Sequence, residues 1–206
     1  MPSTTTAEEK AALRGRMSRY AAQLTEEERH RSDDALLARF LALPQVECAR
    51  RVLLFAGMGT EPDTLRLVPA LLARGKQVAL PRCLPGHRME ARLWDGSRPL
   101  VPHRYGMLEP DEGCPLLSPG ELDLILVPAL CYDRSCRRLG RGGGFYDRYL
   151  AQCSAFTVGL CRQALVQDHV PTEEHDRPVS CVVTESTTYE ARPPEGGPAS
   201  DSLKNK

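Results

Sequence analysis

Arg51-Val-Leu-Leu-Phe-Ala56, then Thr64-Leu-Arg-Leu-Val-Pro-Ala-Leu-Leu-Ala73, then Gln77-Val-Ala-Leu80: this stretch decides the fold. After Arg51 the first run is apolar and too short for a helix, which reads as a buried strand. The second carries helical spacing and is closed by Gly75. The third reads as another buried strand, stopped by Pro81. Downstream, Leu122–Val127, Phe156–Leu160 and Val179–Thr184 read as further strands, with a helix from about Phe145 to Gln152. Between them lies a looser stretch to about Gly120, with one strand expected at Met89–Trp94. Upstream, Leu13, Met17, Tyr20 and Leu24 form one helical stripe, and Thr25 with Glu28 makes a capping box opening a second helix. That helix carries Leu36, Leu37, Phe40 and Leu41 and ends near Pro44. Strands alternating with helices predict an α/β protein with a largely parallel sheet and an N-terminal helical pair. One domain is expected over residues 1–190, and a disordered tail, rich in Pro, Gly, Ser and Lys, over 191–206.

The chain has 206 residues, enough for one sizeable core. Its 27 basic and 27 acidic residues cancel, which removes any bulk electrostatic case for nucleic acid or a membrane surface as partner. The eight cysteines (48, 83, 114, 131, 136, 153, 161 and 181) contain no C-x-x-C pair, and Cys161 and Cys181 sit in apolar runs, as free cysteines do. Met1 to Leu24 lacks the apolar core of a signal peptide. No apolar run approaches the roughly 18–20 residues that span a bilayer. A cytoplasmic monomer is the expectation.

The chemistry concentrates in Leu139-Gly-Arg-Gly-Gly-Gly-Phe-Tyr-Asp147. Phosphate needs backbone N–H groups pointing into a concavity with no side chain in the way, and Gly140, Gly142, Gly143 and Gly144 supply that. A helix starting directly after adds free N–H groups, and Arg138 and Arg141 add positive charge. Asp147 falls about one turn in, where a carboxylate can hold Mg²⁺ against phosphate oxygens. No Gly-Lys-Ser/Thr follows, so this is not the Walker loop; Phe145 stands where a dinucleotide fingerprint needs glycine. The plainer reading is a flexible turn with Asp147 favouring a helix start.

Val127-Pro-Ala-Leu-Cys-Tyr-Asp133 followed by Arg138-Leu-Gly-Arg-Gly-Gly-Gly-Phe-Tyr-Asp-Arg148 closely resembles the signature of the 5-formyltetrahydrofolate cyclo-ligase (5,10-methenyltetrahydrofolate synthetase) family. Further blocks resemble it in the same order: Lys10-x-x-x-Arg14, Phe55-x-x-Met58-x-x-Glu61, Leu80-Pro-Arg82, Tyr105-Gly-Met-Leu-Glu-Pro110, His175-Asp176 and Thr184-Glu185. The resemblance runs over about residues 8 to 186. It departs at Ala129 and Cys136, where the family has glycine, and at Phe145, where it has tyrosine.

The resemblance implies a three-layer α/β/α fold of the NagB/RpiA/CoA transferase-like architecture. It implies ATP- and Mg²⁺-dependent conversion of 5-formyltetrahydrofolate to 5,10-methenyltetrahydrofolate with release of ADP and phosphate. The formyl oxygen is phosphorylated and N10 then closes the ring, so no Ser, Cys or His nucleophile is required. ATP would be held by Lys10, Arg14, Arg138, Leu139, Gly140, Arg141, Gly142, Gly143, Gly144, Phe145 and Tyr146. The reduced folate, with or without a polyglutamate tail, would contact Arg14, Ala56, Met58, Glu61 and Tyr146; Phe55 reads chiefly as core. Arg141 would stabilise the transferring phosphoryl group, and Asp147 and Asp176 would hold Mg²⁺. Two rivals stand beside this reading. One is another sugar-phosphate or CoA-type enzyme on the same scaffold, which would need a catalytic carboxylate in the site. The other is a catalytically impaired folate- or nucleotide-binding relative, suggested by Cys136.

Overall fold

The structure, a computed structural model, describes residues 5–191, so the tail expected over 191–206 falls almost wholly outside it. Helix α1 spans Thr6–Gln23 and α2 spans Glu26–Leu41; both open on capping boxes, Thr5 with Glu8 and Thr25 with Glu28. A short α3 (Pro44–Cys48) leads into β1 (Arg51–Leu53). A 3₁₀ turn over Thr64–Leu67 runs into α4 (Val68–Ala73), so the expected helix is present with its first turn tightened. Then come β2 (Gln77–Leu84), β3 (Arg88–Leu93), β4 (Val101–Pro102), β5 (Leu108–Glu109) and β6 (Leu116–Leu117). The chain continues through β7 (Leu124–Val127), the pair β8 (Cys131–Tyr132) and β9 (Arg138–Leu139), and α5 (Phe145–Leu150). It closes with β10 (Phe156–Leu160), β11 (Cys181–Val183) and β12 (Thr188–Glu190).

The main sheet has the order β12-β11-β10-β7-β1-β2-β3-β6. Its middle, from β11 to β2, is parallel, and both edges are antiparallel. Alternation along the buried strands sorts side chains into two cores. Leu53, Ala79, Ile125 and Val127 face Leu13, Met17 and Ala21 of α1 and Tyr149 and Leu150 of α5. Val52, Leu54, Val78, Leu80, Leu124 and Leu126 face α2, α3 and α4 through Leu37, Phe40, Val46 and Leu71. This is the layered α/β arrangement expected, with one difference: the N-terminal helices do not pair, but cover opposite faces of the sheet.

Two sequence expectations change. Tyr20 is exposed and Leu24 is the helix C-cap, and the buried face of α1 is Lys10, Leu13, Met17 and Ala21. A lysine belongs to that face because its ammonium is paired, a fact no hydrophobic pattern records. The second strand also does not stop at Pro81. β1 pairs with β2 only through Ala79, so past that residue one edge of β2 is free and a proline costs no ladder bond. β2 therefore runs on to Leu84 and turns back as β3, and this hairpin becomes one wall of the site.

Candidate active site

Chain order reverses between β1 and β7: the chain moves from β1 outward to β2, then returns to the other side of β1 as β7. Connections leaving the carboxyl ends of two such strands diverge and leave a crevice, the usual ligand position in open α/β sheets. Here the segments are Phe55–Glu61 after β1 and Pro128–Ala129 after β7, and they border a cavity of about 580 Å³. The glycine loop, the start of α1, the β2–β3 hairpin and the segment Glu173–Asp176 complete its walls.

Every site residue named from the sequence lines this one cavity. Lys10 and Arg14 project from α1; Ala56, Met58 and Glu61 follow β1; Arg138 to Asp147 form the loop side; Asp176 comes from the far end of the chain. Phe55 serves both roles, packed in the core with its edge on the cavity.

The loop is shaped as an anion cradle. Gly142 and Gly144 have φ of 94° and 68°, which L-residues with a Cβ rarely adopt. Among the described residues, no backbone N–H from Gly140 to Gly144 donates a hydrogen bond to the rest of the chain. Those donors need a ligand or water. Arg14 Nε donates to the Gly140 carbonyl at 2.9 Å, which fixes a guanidinium against the loop. α5 is only six residues long, so its contribution is the free N–H groups of its first turn rather than a long helix dipole.

The charges are pre-paired. Arg141 meets Glu61 Oε1 through Nε at 3.0 Å and Nη2 at 2.9 Å, and Glu61 Oε2 accepts the Met58 N–H at 3.0 Å. Lys10 Nζ sits 2.5 Å from both Glu173 Oε2 and Asp176 Oδ2. Burial works against its charge, but the hydrogen bonds it donates to Asp176 and Glu173 outweigh it and hold the ammonium above its ordinary value. For Asp176 burial again opposes, and Lys10 and the Glu173 N–H prevail, so its carboxyl is lowered. Lys10 is thus no solvated surface charge; it is buried. Arg138 is buried too, bonded to Asp147 and to the Arg177 carbonyl.

Tyr146 contributes a hydroxyl that is buried on the cavity wall with no partner among the described residues. Burial, with Glu61 next, pushes its ionisation well above that of free tyrosine, so it offers a neutral O–H. Such a group is unusual unless a ligand completes it. Cys83, also on the wall, is pushed up to about 12 by burial and then by Glu109, the reverse of an activated nucleophile.

Sequence reasoning missed Glu173, His87, Met107 and Tyr105 as cavity residues. Glu173 and Glu174 are adjacent and identical in type, so nothing in the sequence selects the one that meets Lys10. The others depend on the continuation of β2 past Pro81 and on the β4–β5 hairpin, neither of which has a clear periodic signal.

Fold and site together define a class: a mostly parallel α/β protein with an arginine-flanked anion loop beside a mixed cavity at the sheet's switch point. The chain belongs to the 5-formyltetrahydrofolate cyclo-ligase family, whose profile matches residues 6–185. A 5-formyltetrahydrofolate cyclo-ligase of Mycolicibacterium smegmatis is 38% identical over 146 residues, covering 66% of this chain and 73% of the relative. The cyclo-ligase of Mus musculus is 30% identical over 200 residues, 91% of this chain and 98% of the relative. Among solved structures, the 5,10-methenyltetrahydrofolate synthetase of Aquifex aeolicus superposes with a TM-score of 0.81 at 28% identity, covering 95% of this chain and 99% of that one.

Proposed function

We propose that this chain uses ATP and Mg²⁺ to convert 5-formyltetrahydrofolate into 5,10-methenyltetrahydrofolate, with the glycine loop holding the triphosphate and the Ala56–Glu61 side holding the pterin. The observation that carries the reading is the run of unengaged N–H groups from Gly140 to Gly144, set between Arg14 and Arg141 and open to the same cavity as Glu61. One anion-binding surface and one carboxylate acceptor facing a shared space are what a phosphoryl transfer to a folate requires.

An amide oxygen is a poor leaving group. In this reading the formyl oxygen attacks the γ-phosphorus of ATP and the bond to ADP breaks. N10 then attacks the formyl carbon, its proton is lost, and the C–O bond breaks to release phosphate. Both nucleophiles belong to the substrate, so the protein's work is positioning and charge stabilisation. Arg141 lies on the loop and reaches the cavity, where its guanidinium would meet the equatorial oxygens. Glu61, bound to Arg141 before substrate arrives, accepts pterin N–H groups once the arginine turns to phosphate. The Tyr146 hydroxyl offers one more donor to the folate.

Asp147, Glu173 and Asp176 give this wall carboxylate oxygens, the donor type Mg²⁺ takes. Glu173 and Asp176 already converge on one cation, the Lys10 ammonium, and hard oxygen donors suit the ion. Asp147 and Asp176 would hold it, and when bound it neutralises charge on the phosphate oxygens. Asp147 has a second task as partner of the buried Arg138.

Release of inorganic phosphate from ATP, measured with and without 5-formyltetrahydrofolate, tests the reading. Strict dependence on the folate is expected. Folate-independent release would contradict the reading, and no release would favour the sugar-phosphate or CoA-type rival or the catalytically impaired relative.

A further inference from the structure

Outside the anion loop, one cluster of ligating side chains has no part in the chemistry above. β4 and β5 form a separate two-stranded hairpin, Val101 opposite Glu109, whose turn is closed by the His103 N–H on the Met107 carbonyl at 2.8 Å. This hairpin lies against the part of β2 left unpaired by β1, and the Cys83 N–H donates to Glu109 Oε1 at 3.0 Å. Ligand atoms of Cys83, His103 and Glu109 all lie within 4.8 Å of one another. The Met107 thioether is 3.6 Å from the Cys83 sulfur.

A second observation points to a cation. Glu109 is only 4% exposed, and its carboxylate forms no ion pair among the described residues. A buried carboxylate is ordinarily paired with a cation or bound to a metal. Arg104, on the same hairpin, does not fill the role: its guanidinium lies over the Tyr105 ring, 4.8 Å from the centroid, and donates to the Tyr105 hydroxyl.

We propose that Cys83, His103 and Glu109 form a binding site for a zinc-class divalent cation that fastens the Val101–Glu109 hairpin to β2. Thiolate and carboxylate together carry two negative charges and match a divalent ion. Sulfur and imidazole select zinc-like metals over Mg²⁺, so this site is chemically distinct from the carboxylates near Lys10. Three protein ligands leave a fourth position for water or for the Met107 thioether. On binding, the Cys83 S–H bond breaks, an S–metal bond forms, and the proton passes to solvent. Tyr105, Met107 and Leu108 of the same hairpin line the main cavity, so the ion would fix one of its walls. The inference does not depend on the cyclo-ligase reading.

The test uses the full-length, chelator-treated chain without nucleotide or Mg²⁺, titrated with Co²⁺ as a spectroscopic probe and then with Zn²⁺ as competitor. The expected result is a thiolate-to-cobalt charge-transfer band that saturates at one ion per chain and is bleached by Zn²⁺. Cys83→Ser should abolish the band, and His103→Gln should weaken Co²⁺ binding at least tenfold. Cys48→Ser, which removes an exposed thiol elsewhere, should leave it unchanged. Zn²⁺ should also raise the melting temperature of the native chain and not that of Cys83→Ser. No band in the native chain, or a band that survives Cys83→Ser, would overturn the proposal. Should Cys83→Ser fail to fold, undiminished binding by His103→Gln would overturn it equally.

Discussion

Arg141 and Cys136 can be tested in opposite ways, one for chemistry and one for backbone strain. The Arg141 side chain is 49% exposed and, among the described residues, its one charged partner is Glu61, so removing it disturbs little packing. Arg141→Ala should lower kcat by about 10²–10³-fold, the range for losing one preorganised transition-state donor, with an unchanged melting temperature. Stopped turnover accompanied by a lower melting temperature would instead mark it as structural. Cys136 was legible as a departure, a cysteine where the family has glycine, and the structure gives the reason glycine is usual: φ is 64°. A Cβ there costs about 1–2 kcal/mol. The turn tolerates it because Asp133 holds both sides, accepting the Ser135 and Arg137 N–H groups on Oδ1 and the Val170 N–H on Oδ2. The thiol is fully buried. Cys136→Gly should therefore be within about 1 kcal/mol of neutral, strain relief offsetting lost packing, whereas Cys136→Val adds a β-branch and should cost about 2–3 kcal/mol in urea unfolding. Equal losses from both would show that packing alone decides this position.

At the scale of elements, one contact sets the geometry between the central strand β10 and the hairpin that feeds the loop. Tyr132 of β8 is fully buried, its hydroxyl donates to the Val127 carbonyl at 2.5 Å, and its ring lies flush on Gly159 of β10. A Cβ on Gly159 would run into that ring. Gly159→Ala should cost about 1–3 kcal/mol by overpacking and, by displacing β8–β9, weaken ATP binding as well. Calorimetric denaturation together with a nucleotide titration reads both; a destabilised chain with unaltered ATP affinity would separate the hairpin from the loop. The buried strands of the sheet were readable because an uninterrupted apolar run has few other uses. Two-residue strands such as β4, β5 and β6 were not, since hairpin pairing rather than periodicity makes them. Pro81 misled for a definable reason: a proline ends a strand only where its missing N–H would have had a partner.

Across the whole molecule, the site is closed by contacts that no local pattern contains. Lys10 in the first helix meets Glu173 and Asp176, more than 160 positions away. The cavity-lining role of Lys10 and Asp176 was legible only through the family resemblance; their pairing required the fold. The pairing also sets a pH window. Asp176 lies below its ordinary 3.8, so its contribution is present above that value and lost as pH falls through the lowered one. Lys10 lies above 10.5, so its contribution is present below that value and lost as pH rises through the raised one. The stability difference between the native chain and Lys10→Met should thus shrink in acid and in strong base. A difference undiminished in both acid and strong base would contradict the pairing. The central claim, that this cavity joins ATP to a formyl folate, is tested most directly by following methenyl absorbance when purified chain, 5-formyltetrahydrofolate, ATP and Mg²⁺ are mixed. Absorbance should rise with one ADP formed per methenyl group, and omission of any component should abolish it. Folate and ATP binding with no rise in absorbance would contradict the account and leave a catalytically silent relative.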